Sequence, residues 1–192
     1  MGKCNKRELK SNRAVFLDRD GVLTVSIVRE GKGYAPLTLE QFRFYPGVAD
    51  CVSRIQELGF IPILVSNQPD VANGTLPIHV LEQMNQKILD ELKISEINNC
   101  IHNNEDQCLC RKPKPGMLIN SALKLGVSLQ ESWMIGDRDG DINAGIAAGC
   151  KTIFINRDMP AESGVMAHLT CDSLEKAIDL IAESEHLHHG YE

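Results

Sequence analysis

The sequence has no long apolar run: nowhere in its 192 residues is there a stretch of the ~18 apolar residues that a membrane-spanning helix needs. The opening segment, Met1 to Arg13, is polar and basic, and the four apolar residues after it end at Asp18, too short a core for a signal peptide. Lys6 stands where a myristoylation pattern after Gly2 requires Ser or Thr. Positive charge is not in excess either. A net charge of -6 and a pI near 5.5 lack the basic footprint that binding a nucleic-acid backbone leaves, so any phosphate recognition should be local. Internal repeats and long low-complexity linkers are also missing. What remains is a small cytoplasmic protein, expected to bind neither membrane nor nucleic acid and, for want of an obvious extra interface, to be a monomer.

At 43% hydrophobic content the chain can build one well-cored domain. The reading places that domain at residues 14–184, between flexible tails at 1–13 and 185–192, the latter carrying His186, His188 and His189. Apolar runs alternate with amphipathic stretches. Strands are expected at 14–17, 60–65, 96–101, 133–135 and 152–155, and helices from Pro46-Gly47 to Leu58 and at 77–93, 115–126, 142–148 and 173–184. Such alternation predicts an α/β fold, a parallel sheet wound by right-handed crossovers. Thr24 to Phe44 has no sustained period and reads as a flap or irregular hairpin.

Every polar constellation falls just after a strand, the edge where ligands bind in open α/β sheets. Asp18 and Asp20 follow Ala14-Val15-Phe16-Leu17, Ser66-Asn67-Gln68 follow the second strand, and Asp137 and Asp141 follow the fourth. Acids that close repel one another, which is tolerable if a cation or phosphate chemistry uses them; the alternative is a solvated turn. Oxygen-only donors from separate loops suit a hard divalent cation, with Mg2+ the first choice. Asp18 could act as a nucleophile on phosphorus. Asp20, two residues on, could then protonate the leaving alkoxide and later deprotonate the attacking water. Ser66 offers a neutral donor and Lys112 a compact positive charge for the phosphoryl oxygens. Asn67 and Gln68, amides at the same strand end, are candidates to contact substrate.

The cysteines are uneven. Cys100-x-His102, five residues, then Cys108-x-Cys110 provide three thiols and one imidazole, a complete tetrahedral set for a structural Zn2+, although reduced thiols beside a loop histidine would show the same pattern.

Together, Asp18-Arg19-Asp20-Gly21, Ser66-Asn67-Gln68, Arg111-Lys112-Pro113 and Gly136-Asp137-x-x-x-Asp141 resemble the four ordered motifs of the haloacid dehalogenase superfamily. The resemblance implies a Rossmann-like phosphatase fold, with Mg2+ held by Asp18, the Asp20 backbone carbonyl and Asp137, and with Asp141 as a further ligand or an anchor. The intervals between motifs leave no room for a large cap domain. The Cys/His loop just before Arg111-Lys112 resembles that of the heptose 1,7-bisphosphate 7-phosphatases and of the histidinol-phosphate phosphatases. Its five-residue gap is closer to the histidinol-phosphate enzymes, whereas Ser66-Asn67-Gln68, Val71-Ala72-Asn73-Gly74 and Lys114-Pro115-Gly116-Met117-Leu118 are closer to the heptose enzymes. The likeness implies a small phosphorylated sugar as substrate, in the making of nucleotide-activated heptose. Arg111 and Arg138 would hold a phosphate that is not cleaved, and Gly33 and Tyr34 would line the sugar side. A different class stays open: a non-catalytic, zinc-stabilised binding module.

Overall fold

A computed structural model describes residues 11–29, 32–157 and 166–189. Strand β1 (Arg13–Leu17) leads into an antiparallel hairpin, β2 (Ile27–Arg29) and β3 (Lys32–Tyr34). Then come α1 (Val48–Glu57), β4 (Phe60–Asn67), α2 (Pro69–Ala72), α3 (Ile78–Leu92), β5 (Glu96–Cys100), α4 (Gly116–Leu125), β6 (Trp133–Gly136), α5 (Asp139–Ala148), β7 (Lys151–Ile155), β8 (Leu169–Cys171) and α6 (Leu174–His189). Six strands form one parallel sheet in the order β5-β4-β1-β6-β7-β8, with β1 at its centre.

The centre is apolar on both faces because both are covered, as parallel sheets require. Side chains alternate along β1. Val15 and Leu17 enter one core with Val52 and Ile55 of α1, Met84 and Ile88 of α3, and Ile178 and Ile181 of α6. Ala14 and Phe16 enter a second core with Met117, Leu118 and Ala122 of α4 and Ala144 of α5. Helices therefore lie on both sides, α1, α3 and α6 on one and α4 and α5 on the other. All four of these β1 side chains are fully buried. The β2–β3 hairpin, α2, the start of α5 and the loop between β5 and α4 stand near the carboxyl ends of the central strands, and no second domain is inserted among the described residues.

Several boundaries depart from expectation. Arg13, expected in a flexible tail, begins β1, and the Asn12 N–H already donates to the Gly126 carbonyl at 3.2 Å. At the other end α6 runs on to His189 rather than stopping at Ser184, and Glu185 forms an ion pair with Arg13. The tail expected at 185–192 is therefore helical over its first residues; 1–10 and 190–192 lie outside the described residues. Helix α5 starts at Asp139, three residues before the first apolar position, because Asp141 caps it: its Oδ2 accepts the Arg138 N–H at 3.1 Å. Short α2 and strand β8 were not expected at all.

Candidate active site

Strand register assembles the site. Leu17 pairs with Leu64 on one side and Ile135 on the other, so Asp18 follows β1 while Ser66 and Asp137 sit one residue farther along the two neighbouring strands, at the same edge of the sheet. The Asp18 N–H continues the ladder to the Ile135 carbonyl at 3.0 Å. Lys112 comes from the loop after β5, and Asn67 grips its backbone from both sides: Asn67 Nδ2 donates to the Lys112 carbonyl at 2.9 Å, and the Lys112 N–H donates to Asn67 Oδ1 at 3.1 Å. This delivers a buried ammonium 2.5 Å from Asp18 Oδ1, 2.6 Å from Asp141 Oδ1 and 2.7 Å from the Val65 carbonyl. Each of its three hydrogens has an acceptor.

One lysine cannot neutralise three acids. Burial pushes Asp18 up to about 6 against the pull of Lys112, with Asp141 and Asp20 adding repulsion. Burial, with repulsion from Asp18 and Asp141, pushes Asp137 up to about 8 although Arg138 and Lys112 oppose it. Burial alone would lower Lys112, but Asp141 and Asp18 outweigh it and hold the ammonium above its usual range. Both partners of the Asp18–Lys112 pair rise, Asp18 because burial outweighs the lysine's pull and Lys112 because it is shared between two acids.

Asp18, Asp137 and Asp141 each present an oxygen, all within 4.8 Å of one another, and Asp137 Oδ1 is buried without a hydrogen-bond partner. An oxygen-only, electron-rich cluster with an orphaned carboxylate oxygen fits a hard divalent cation. Asp141 is engaged at both oxygens, by Lys112 and by the Arg138 N–H, which makes it an anchor for the lysine and for α5. The cluster needs Gly21: its φ is +98°, and a Cβ there would lie 1.9 Å from Asp137 Oδ2.

Asp18, Asp20, Ser66, Asn67, Lys112, Asp137 and Asp141 line one cleft of about 550 Å³. Gly33 and Tyr34 of the hairpin, Arg111 and Arg138 also line it. Arg138 reaches the hairpin, donating to the Gly33 carbonyl at 2.7 Å. Arg111 is braced by Asn104 Oδ1 at 2.7 Å and by the His102 carbonyl at 3.3 Å. The exception is Gln68. Expected to contact substrate, it is fully buried behind the cleft, its side-chain amide spent on Arg19, Asp20 and Ser66. Asn67 reaches the cleft wall, yet both ends of its amide are committed to the Lys112 backbone.

The Cys/His loop begins where β5 ends. Cys100 Sγ lies 3.6 Å from both Cys108 Sγ and His102 Nδ1, and Cys110 Sγ lies 3.4 Å from Cys100 Sγ and 3.3 Å from His102 Nδ1. Those separations far exceed a disulfide's ~2.05 Å. They approach the ~3.8 Å edge of a tetrahedron with ~2.3 Å metal–sulfur bonds, so the donor set could hold Zn2+. Burial pushes the Cys100 thiol up to about 12. Cys108 is drawn down to about 7 despite some desolvation, by the Arg111 backbone N–H and the neighbouring thiols.

A HAD-hydrolase-like family model matches residues 109–177. Over 179 residues the chain is 30% identical to a D-glycero-β-D-manno-heptose-1,7-bisphosphate 7-phosphatase of Helicobacter pylori, covering 90% of this chain and 99% of the relative. A protein of the same name from Haemophilus ducreyi is 33% identical over 184 residues, 88% of this chain and 96% of that one. The chain belongs to this family of haloacid-dehalogenase-type phosphatases. Its fold also superposes on the D,D-heptose 1,7-bisphosphate phosphatase of B. bronchiseptica, solved with magnesium and phosphate, at a TM-score of 0.75 and 22% identity, covering 90% of this chain and 99% of that chain.

As a member of this phosphatase family, the chain is a phosphoric monoester hydrolase. Two residues that sequence reading passed over now stand out. Arg19 is fully buried and forks onto both Asp20 oxygens, its Nε at 3.0 and 3.1 Å and its Nη2 at 2.8 Å. Thr24 Oγ1 donates to Asp20 Oδ1 at 2.9 Å. A charged residue at the end of an apolar strand, between two acids, was the available signal for Arg19. Asp70 and Asp139 line the cleft too.

Proposed function

We propose that the protein is a Mg2+-dependent phosphomonoesterase that removes the 7-phosphate of D-glycero-β-D-manno-heptose 1,7-bisphosphate. The observation that carries the reaction is the gathering of Asp18, Ser66 and Asp137 at one edge of three adjacent strands, with the buried Lys112 ammonium paired to Asp18. The relatives' names support the substrate, as do Arg111 and Arg138, two forked cations on the same cleft that suit a second phosphate.

Asp18 attacks phosphorus, its bond to phosphorus forming as the bond to the sugar oxygen breaks. Asp20 gives a proton to that oxygen. In the second half Asp20 takes a proton from water, whose oxygen displaces the Asp18 carboxylate from phosphorus and frees inorganic phosphate. Ser66 donates to a nonbridging oxygen, and Lys112, whose three hydrogens are taken, offers those oxygens its positive charge. Asp18, Asp137 and the Asp20 backbone carbonyl would hold Mg2+, with Asp141 bracing Lys112 behind them; the cation supplies charge neutralisation between the acids and the phosphate. Cys100, His102, Cys108 and Cys110 would hold a structural Zn2+ that fixes the loop carrying Arg111.

A phosphate-release panel of both anomers of heptose 1,7-bisphosphate, histidinol phosphate and 3'-phosphorylated DNA tests the assignment. The β anomer is expected to be preferred. Preference for histidinol phosphate, which the five-residue gap in the Cys/His loop favours, would overturn the substrate and keep the reaction.

A further inference from the structure

The amide of Gln68 has a single workable orientation. Arg19 Nη2 can only donate, so the atom 2.9 Å from it is the Gln68 oxygen. The Gln68 NH2 then points the other way, donating to Asp20 Oδ2 at 3.0 Å and to Ser66 Oγ at 2.8 Å. Its backbone N–H is tied to the Cys100 carbonyl at 2.7 Å, and the residue has no solvent exposure. The consequences for the two cleft residues differ. Because Ser66 Oγ accepts from Gln68, its own hydrogen is left to donate elsewhere, toward a phosphoryl oxygen. Asp20 is held by three separate donors, Arg19, Thr24 and Gln68, and its carboxylate stays outside the group formed by Asp18, Asp137 and Asp141.

We propose that Gln68, locked by Arg19, is the positioning residue for proton transfer: it holds the Asp20 carboxylate off the cation cluster and over the leaving oxygen, and turns the Ser66 hydroxyl into a donor. This rests on the phosphatase reading but not on the identity of the sugar. Without the amide, Asp20 loses one of its three supports and Arg19 is no longer locked, so the carboxylate shifts from the leaving oxygen and protonates it less well.

The test uses leaving groups. An alkyl phosphate, such as a sugar phosphate, expels an alkoxide that needs a proton, whereas p-nitrophenyl phosphate expels a phenolate that does not. Gln68→Glu keeps the length and the acceptor for Arg19 but turns an acceptor toward Asp20 and Ser66. Gln68→Met keeps the approximate volume and offers no hydrogen bond. In both, kcat on the sugar phosphate should fall at least about tenfold further than kcat on p-nitrophenyl phosphate, with KM for the sugar phosphate changing less than about threefold. The ratio of the two activities does not depend on how much protein is folded, so partial misfolding of either variant leaves the comparison intact. Equal losses on both substrates, or none, would overturn the inference alone; an unsubstituted enzyme that hydrolyses neither would overturn the phosphatase reading and the inference with it.

Discussion

Lowering the pH should drive the divalent cation out of the cleft, and the crowding of the acids sets by how much. In the cation-free protein Asp18 stands at about 6 and Asp137 at about 8, both above the ordinary value of 3.8. A cation needs both carboxylates ionised. At pH 8 Asp18 is almost fully ionised and Asp137 about half; at pH 6 Asp18 is half ionised and Asp137 about one part in a hundred. The product falls about 100-fold, equivalent to roughly 3 kcal/mol of binding free energy. The same groups act on folding with the opposite sign. A carboxyl whose native value is raised stabilises the fold fully below about pH 4, and that contribution disappears as pH rises through about 6 for Asp18 and about 8 for Asp137. Without cation, these two groups therefore make the protein less stable at pH 8 than at pH 5. Titration calorimetry of Mg2+ at pH 6, 7 and 8, with thermal melts in parallel, measures both effects. An affinity that changes less than about threefold over that range would refute the claim that burial among like charges raises these carboxyls.

Two further outcomes follow from the same geometry. Asp18→Asn should abolish turnover, by at least about 1,000-fold in kcat. It should leave the fold intact, since an amide oxygen can still accept from Lys112 and one buried negative charge is removed; unchanged activity would exclude Asp18 as nucleophile. Protein prepared without chelator should carry about one equivalent of zinc, and stripping it should lower Tm by about 5 °C or more, since each kcal/mol is worth ~2–4 °C in a chain of this size. Metal analysis that finds no zinc would overturn the assignment of Cys100, His102, Cys108 and Cys110 as its ligands.

The parts of the molecule that were legible in the sequence are those where a single stretch carries its own signal. Ala14 to Leu17 is an unbroken apolar run ending in acids, and it is a buried central strand because both faces are covered. Cys100 to Cys110 carries its Cys/His spacing openly, and the fold brings those four side chains together. Where the signal is spread over distant residues, reading failed. Strand β8 is three residues, one exposed and two half-buried, and it exists because Ile153, Phe154 and Ile155 offer it an edge. Helix α2 has four residues, too few to show a period. In helix α5 the apolar pattern begins only at Ile142, and Asp139 and Asp141 resemble loop acids in sequence although Asp141 accepts the Arg138 N–H and caps the helix. Gln68 sits one residue past β4 in a polar run that suggested contact with substrate. Its burial follows from Arg19, forty-nine positions earlier in the chain.

That last pairing bears on how the fold tolerates its own active site. Buried like charges weaken a protein unless something holds them, and here the holding groups are divided by function. Lys112 is gripped by Asn67 and shared between Asp18 and Asp141, so the proposed nucleophile is fixed by a cation that also lines the cleft. Asp20 is held by Arg19, a different cation on the core side, packed 5.7 Å over the Phe42 ring and 4.0 Å from the Met84 sulfur. Assigning one cation to each carboxylate keeps the two acids of Asp18-Arg19-Asp20 on separate supports although they are two residues apart. The tasks proposed for them require this separation: Asp18 would stay ionised beside the phosphate, whereas Asp20 would gain and lose a proton once in every turnover. A single cation spanning both would tie those two charge states together. Arg19, placed between the acids in sequence, turns into the core and leaves Lys112 to the cleft.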